Sequence, residues 1–205
     1  MSIKHIEATP QIIESLSSAD AVMSKLIERY KVIKYELDEA YFTSLISTII
    51  GQQLSNKVAD VIWRRFQYMV GEDITPEKVL EINDDSYRCI GISYAKTTYI
   101  KNIAHAIKSE QLTTTKFPIM ADEEIINQLI QIKGIGRWTA EMFLIFSLGR
   151  ENIFSSSDGG LERAINILYG NGNELSKKEH LTISDKWKPY KSIASLYLWK
   201  SLDNG

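Results

Sequence analysis

Apolar residues recur at three- and four-residue spacing along nearly the whole chain, and no stretch alternates as a half-buried strand must. Only four prolines occur (Pro10, Pro76, Pro118 and Pro189), each where a helix start or a loop can hold it. This pattern predicts an all-α protein. With 205 residues and 44% hydrophobic content, the chain can bury a core in a single domain over residues 1–205 built of two helical lobes. Residues 1–37 read as purely helical, with helices over 9–17 and 19–33, the second starting at Ser18 or Ala19-Asp20. Further helices are expected over 41–50, 56–70, a short one from the Thr75-Pro76 cap, 84–88, and 94–109 behind Ser93. In the 56–70 helix, Val58, Ile62, Phe66 and Met69 share one face. Asp122 is placed to cap a helix burying Ile125, Ile126 and Leu129. An almost wholly apolar helix follows over 137–148, then 161–169 ending at Gly170, and 184–202 broken at Pro189.

Composition removes several function classes. One cysteine, Cys89, excludes a disulfide framework and a four-cysteine iron–sulfur cluster, and reads as a small buried hydrophobe. His5, His105 and His180 lack metal-ligand spacing. No basic-then-apolar leader and no bilayer-length apolar run is visible, so an intracellular protein with no membrane partner is expected. Net charge is −2, which by itself argues mildly against a nucleic-acid partner. Its distribution is more informative. Residues 86–109 carry Arg88, Lys96, Lys101 and Lys108 with no acid, and residues 187–200 carry Lys188, Lys191 and Lys200 with none. A modest DNA footprint is compatible with that asymmetry, as are ordinary solvated faces.

Function concentrates between Leu129 and Ala164. The run Ile132-Lys-Gly-Ile-Gly-Arg-Trp-Thr-Ala140 joins two helices through a tight turn at Gly134-Ile135-Gly136. Two glycines one residue apart permit positive φ and gather N–H groups on one side, and the following helix dipole adds positive potential. Such a turn suits one phosphate, with Ile135 turned inward to pin it. Twenty residues beyond Trp138, Asp158 stands in a polar, glycine-flanked turn, Ser155-Ser-Ser-Asp158-Gly-Gly160, before another helix. Two more strings stand out: Gly51-Gln-Gln-Leu-Ser55, a polar turn between apolar helices, and Gly91-Ile-Ser-Tyr-Ala-Lys96-Thr-Thr-Tyr-Ile at a helix start. A fourth, Trp187-Lys-Pro-Tyr-Lys-Ser, leads to Trp199.

Taken in chain order, the four strings resemble the helix-hairpin-helix (HhH-GPD) DNA glycosylase superfamily, and within it the 3-methyladenine DNA glycosylase II branch. The resemblance covers residues 38–202, with the helix-hairpin-helix over 123–148. It implies a two-lobed helical glycosylase without an N-terminal sheet domain or iron–sulfur cluster. The partner it implies is damaged double-stranded DNA, acted on by a monomer. Asp158 would be the catalytic carboxylate, supporting an oxocarbenium-like transition state and aligning water. Trp138, Met142 and Trp199 would line the base pocket. Gln53 would wedge into the duplex where a base is flipped out. Lys133, Gly134, Gly136, Arg137, Gly91, Ser93 and Lys96 would meet DNA phosphates. The carbonyls of Ile132 and Ile135 would hold a Na+ or K+ ion, and no organic cofactor is implied. Superfamily members that also cut the strand carry a lysine where this chain has Trp138, because an amine must form a Schiff base. The resemblance therefore implies a monofunctional enzyme that releases alkylated purines such as 3-methyladenine and 7-methylguanine. The chain departs from the family at the Asp158 loop, which lacks a proline and gains Gly159, implying a looser loop, and at Met142, where an aromatic is expected. Two alternatives stand beside this reading: a glycosylase for oxidised or deaminated bases, and a non-catalytic DNA-binding module.

Overall fold

A computed structural model describes residues 4–202. Its backbone divides into two compact units, one formed by Met1–Leu37 with Leu144–Gly205 and the other by Asp38–Phe143. Both are helical, as the spacing of apolar residues predicts, with one small sheet among the described residues.

In the first unit, strand β1 (His5–Glu7) precedes helices α1 (Pro10–Ala19) and α2 (Ala21–Tyr30), and strand β2 (Lys34–Glu36) follows them. β1 and β2 pair antiparallel, His5 opposite Glu36 and Glu7 opposite Lys34. The purely helical expectation for residues 1–37 is therefore corrected. Three residues are too short a run to register an alternating pattern, and of the six only Ile6 is buried. Asp20 organises the corner between α1 and α2. Its Oδ1 accepts the N–H groups of Val22 (2.8 Å) and Met23 (3.2 Å), capping α2. Its Oδ2 accepts the Trp187 indole N–H (3.2 Å) and the Tyr169 hydroxyl (3.1 Å).

The same unit contains α10 (Gly159–Tyr169), α11 (Lys177–Asp185) and α12 (Lys191–Leu202). α12 packs on α2 and α10, and every residue from Ser192 to Leu198 is buried. Ser192, Ala194 and Ser195 are small enough for neighbours to approach from several sides. The Ser192 hydroxyl donates to the Arg150 carbonyl (2.6 Å) and accepts from Ile153 N–H (2.9 Å). α11 begins well before the expected 184, behind a Ser176–Glu179 capping box.

The second unit holds α3 (Tyr41–Gly51), α4 (Asn56–Val70), α5 (Pro76–Glu81), α6 (Asp84–Cys89), α7 (Tyr94–Lys108), a 3-10 turn at Thr114–Ile119 and α8 (Asp122–Leu129). Helix α9 (Arg137–Phe146) begins in this unit, and the chain passes into the first unit at Leu144. α3 buries Leu45, Ile46, Ile49 and Ile50 and packs against α4 and α7. Tyr41, Phe117 and Phe143 meet edge-on or tilted, with Phe143 5.6 Å from each of the other two ring centroids. Three local expectations fail. Val58 is exposed, because the buried stripe of α4 runs through Ile62 and Phe66. Cys89, at the end of α6, is exposed rather than buried. Ala121, not Asp122, is the residue before α8, and its N–H donates to the Glu124 carboxylate (2.9 Å). Among the described residues, no helix is long and apolar enough to cross a membrane.

Candidate active site and nucleic-acid interface

The turn between α8 and α9 is closed by Ile132 N–H on the Leu129 carbonyl and Ile135 N–H on the Ile132 carbonyl, both 3.0 Å. Gly134 has φ 112, and a Cβ there would lie inside the Tyr99 side chain of α7, so both conformation and space demand glycine. Gly136 does not follow the expectation of positive φ, and a Cβ on it would meet open space. Ile135 is buried at 4% exposure and anchors the turn from within, as expected. Lys133 is exposed, and its carbonyl accepts the Asn102 side-chain amide (3.0 Å).

Arg137, expected at a phosphate, is paired with two carboxylates. Its Nε donates to Glu141 (2.9 Å) and its NH1 to Glu123 (3.1 Å). The hydrogen bond from Arg137 holds the Glu123 carboxyl below its ordinary range, and the two carboxylates push the guanidinium further up. The charge that the sequence offers at the hairpin is thus met by two acids.

The glutamine turn after α3 is built on that hairpin. Gln53 adopts φ 58, uncommon for a residue with a side chain, and is exposed at the tip. Gln52 points the other way, donating its amide to Thr139 Oγ1 (3.1 Å) and to the Gly134 carbonyl (3.3 Å). Lys96, expected at a phosphate, completes the arrangement by reaching the turn's backbone. Its Nζ donates to the carbonyls of Ile50 (2.7 Å) and Gln52 (2.8 Å). Burial there lowers the lysine's pKa. Ser93 likewise turns its hydroxyl to its own helix, accepting Lys96 N–H (3.3 Å), while Gly91 is exposed with φ 99. Gln52 was invisible as a connector, since its partners lie more than 80 residues away.

Asp158 caps α10. One of its oxygens, Oδ1, accepts both Leu161 N–H (2.8 Å) and the Trp199 indole N–H (2.9 Å). The residue is 9% exposed, and its own N–H is tied to the Ser155 carbonyl (3.1 Å). Gly159 and Gly160 form the first turn of α10, so the glycines belong to the helix rather than to a looser loop. A Cβ on Gly160 would stand 3.1 Å from Asp158 Oδ1 and 3.2 Å from Trp199 Cδ1. Glycine at this position is what lets the indole reach the carboxylate. Trp199 also packs on Phe146, with ring centroids 5.7 Å apart. On α9, Trp138 is half-buried and Met142 is buried at 7% exposure. Trp187, from the same C-terminal string, is wholly buried on Asp20.

A monovalent cation takes oxygen donors, and backbone carbonyls are of that kind. The Lys133 and Gly134 carbonyls accept the Asn102 and Gln52 amides, whereas that of Ile132 accepts one hydrogen bond and has a second lone pair. The expected pair of Ile132 and Ile135 carbonyls fits the donor type.

Residues 46–189 match the family described as HhH-GPD superfamily base excision DNA repair protein. YfjP of Bacillus subtilis is 34% identical over 188 residues, which cover 88% of this chain and 66% of that protein. A structure of DNA-3-methyladenine glycosidase from Bacillus halodurans superposes with a TM-score of 0.85 at 34% identity, covering 97% of this chain and 92% of that one. The Schizosaccharomyces pombe 3-methyladenine DNA glycosylase, solved in complex with abasic DNA, gives 0.84 at 30% identity over 93% of this chain and 95% of that one.

Proposed function

Since this chain belongs to the HhH-GPD superfamily of base excision DNA repair proteins, we propose that it is a monofunctional DNA glycosylase for alkylated purines. Its partner is double-stranded damaged DNA, on which it acts as a monomer wherever the cell keeps its DNA. The observation that carries the chemistry is Asp158, a buried carboxylate held by two N–H donors on one oxygen. Similarity to glycosylases named for 3-methyladenine supports the substrate class.

Base release breaks the bond between C1′ and the purine nitrogen, and the electron pair leaves with the base. Alkylation has already made that base electron-poor, so protonating the leaving group is unnecessary. Positive charge develops on the sugar, and the Asp158 carboxylate stabilises it. Water attacks C1′, with its proton passing to Asp158 and on to solvent, and leaves an abasic site. Held by Leu161 N–H and the Trp199 indole, the carboxylate needs little reorganisation as that charge appears. Trp199, hydrogen-bonded to Asp158, offers an electron-rich face to a cationic base, an attraction of about 0.5–2 kcal/mol. Trp138 bears no amine, so no Schiff base forms and the strand stays intact.

Gln53, at the exposed tip of its turn, fills the space the flipped base leaves. The hairpin amides around Gly134 and Gly136, together with Lys133, receive a phosphate, and a Na+ or K+ ion at the Ile132 and Ile135 carbonyls would add positive charge there. Gly91, exposed just before α7, marks a second place for the DNA backbone to approach. The test is release of methylated purines from duplex DNA, with strand scission measured before and after alkali. Base release with scission only after alkali is expected. Scission without alkali would contradict the monofunctional reading, and absence of release would contradict the substrate class.

A further inference from the structure

Resting on the reading of Gln53 as a wedge, we propose that Lys96 and Gln52 are positioning residues that brace the wedge turn against the hairpin. Lys96 thereby acts through hydrogen bonds to backbone carbonyls rather than through contact with a DNA phosphate. Four hydrogen bonds converge on Ile50 and Gln52, where α3 gives way to the wedge turn. From α7, the Lys96 ammonium bridges the carbonyl of Ile50, in the last turn of α3, and that of Gln52, one residue before the tip. Those carbonyls belong to a helix C-terminus, where oxygens lack intrahelical partners and the dipole is negative. From the hairpin, the Gly134 carbonyl and the Thr139 hydroxyl hold the Gln52 side chain.

Gln53 stands beyond these clamps at φ 58, a conformation that a side-chain-bearing residue leaves readily unless its surroundings fix it. Opening a base pair requires the replacing side chain to arrive in one defined place. A turn free to relax would lose that on the duplex while leaving binding intact. The bracing also joins the two DNA-facing elements of this unit. Gly134 belongs to the phosphate-receiving hairpin, and its carbonyl is one of the clamps on the wedge turn.

The test uses the full-length Lys96→Met variant, which keeps side-chain length and loses the donors. Three quantities are read: salt dependence of binding to undamaged duplex, fluorescence of 2-aminopurine beside the lesion, and single-turnover release of a methylated purine. Bracing predicts a salt slope within about a quarter of a unit of the parent's, whereas loss of a phosphate contact lowers its magnitude by about 0.9. It predicts weaker 2-aminopurine fluorescence, reporting less base flipping. Release from a paired lesion falls about tenfold, and from a lesion in a mismatch, where unpairing costs less, by no more than about threefold. A reduced salt slope, or equal losses on paired and mismatched lesions, would overturn the proposal. If the parent releases no methylated base, the glycosylase reading fails on its own. The salt slope and the fluorescence then still decide the role of Lys96. Should Lys96→Met fail to fold, Gln52→Ala removes the opposite clamp and is expected to show the same unchanged slope and weakened flipping.

Discussion

Replacing Gly160 with alanine puts a single methyl group where the Trp199 indole meets the Asp158 carboxylate. The added Cβ would lie 3.1 Å from Asp158 Oδ1, 3.2 Å from Trp199 Cδ1 and 3.3 Å from its Nε1, so a neighbour must give by a few tenths of an ångström. Neither neighbour gives easily. Oδ1 is fixed by Leu161 N–H at 2.8 Å, and the indole lies against Phe146. Two effects on stability oppose each other: alanine favours a helix over glycine by up to about 1 kcal/mol, while overpacking costs about 1–3 kcal/mol. The net change is expected to stay within about 1–2 kcal/mol, because a first-turn position has some room to tilt. Activity is more sensitive. Misplacing a reacting group by about 1 Å can cost about a hundredfold, so a shift of a few tenths predicts roughly a tenfold loss. Single-turnover base release measures it, with thermal unfolding in parallel and Gly159→Ala as control, since nothing lies within 4 Å of a Cβ there. Gly160→Ala releasing base within twofold of the parent would refute the claim that this contact positions the carboxylate.

Three further perturbations follow from the same geometry. Trp199→Phe keeps an aromatic face but removes the indole N–H from Asp158. A hydrogen bond to a charged group is worth about 1.5–3 kcal/mol, so release should slow about 10- to 100-fold in single turnovers, and an unchanged rate would show the bond idle. Glu123→Gln loosens the carboxylate grip on Arg137, whose side chain is 53% exposed. Because that pair is exposed and its stabilisation no more than about 1 kcal/mol, stability should hold while the salt slope for undamaged DNA steepens by up to about 0.9. A weaker affinity would contradict it. Asp20→Ala strips the α2 cap and leaves the Trp187 indole and the Tyr169 hydroxyl without their acceptor. Urea unfolding should show a loss of about 3–5 kcal/mol, and a loss below about 1 kcal/mol would mean the network is dispensable.

Much of the fold is readable from local signals. The bounds of α4 follow from Ser55 before it and the Gly71 that ends it, and Gly134 is demanded by a turn that only glycine makes. Asp158 is singled out by the resemblance that its glycine-flanked turn carries, and the structure shows that it also caps α10. What escaped the sequence depends on partners distant along the chain. Lys96 reads as a free cation until the carbonyls of Ile50 and Gln52 stand within reach, and backbone oxygens have no letter in a sequence. Arg137 reads as a phosphate ligand until Glu123, fourteen positions earlier, folds back onto it. The need for glycine at 160 shows only once Trp199 closes over it. The β1–β2 pairing is hidden because three-residue strands with one buried side chain carry no periodicity.

The central claim is that Asp158 is the carboxylate that drives base loss. Its most direct test is Asp158→Asn, assayed for methylated-purine release and for binding to abasic DNA. Asparagine can still accept from Leu161 N–H and the Trp199 indole, so the cap and its surroundings should persist. Release is expected to fall by about 10²–10⁴ while binding stays within about threefold. Release at the parental rate by a folded Asp158→Asn protein would contradict the account.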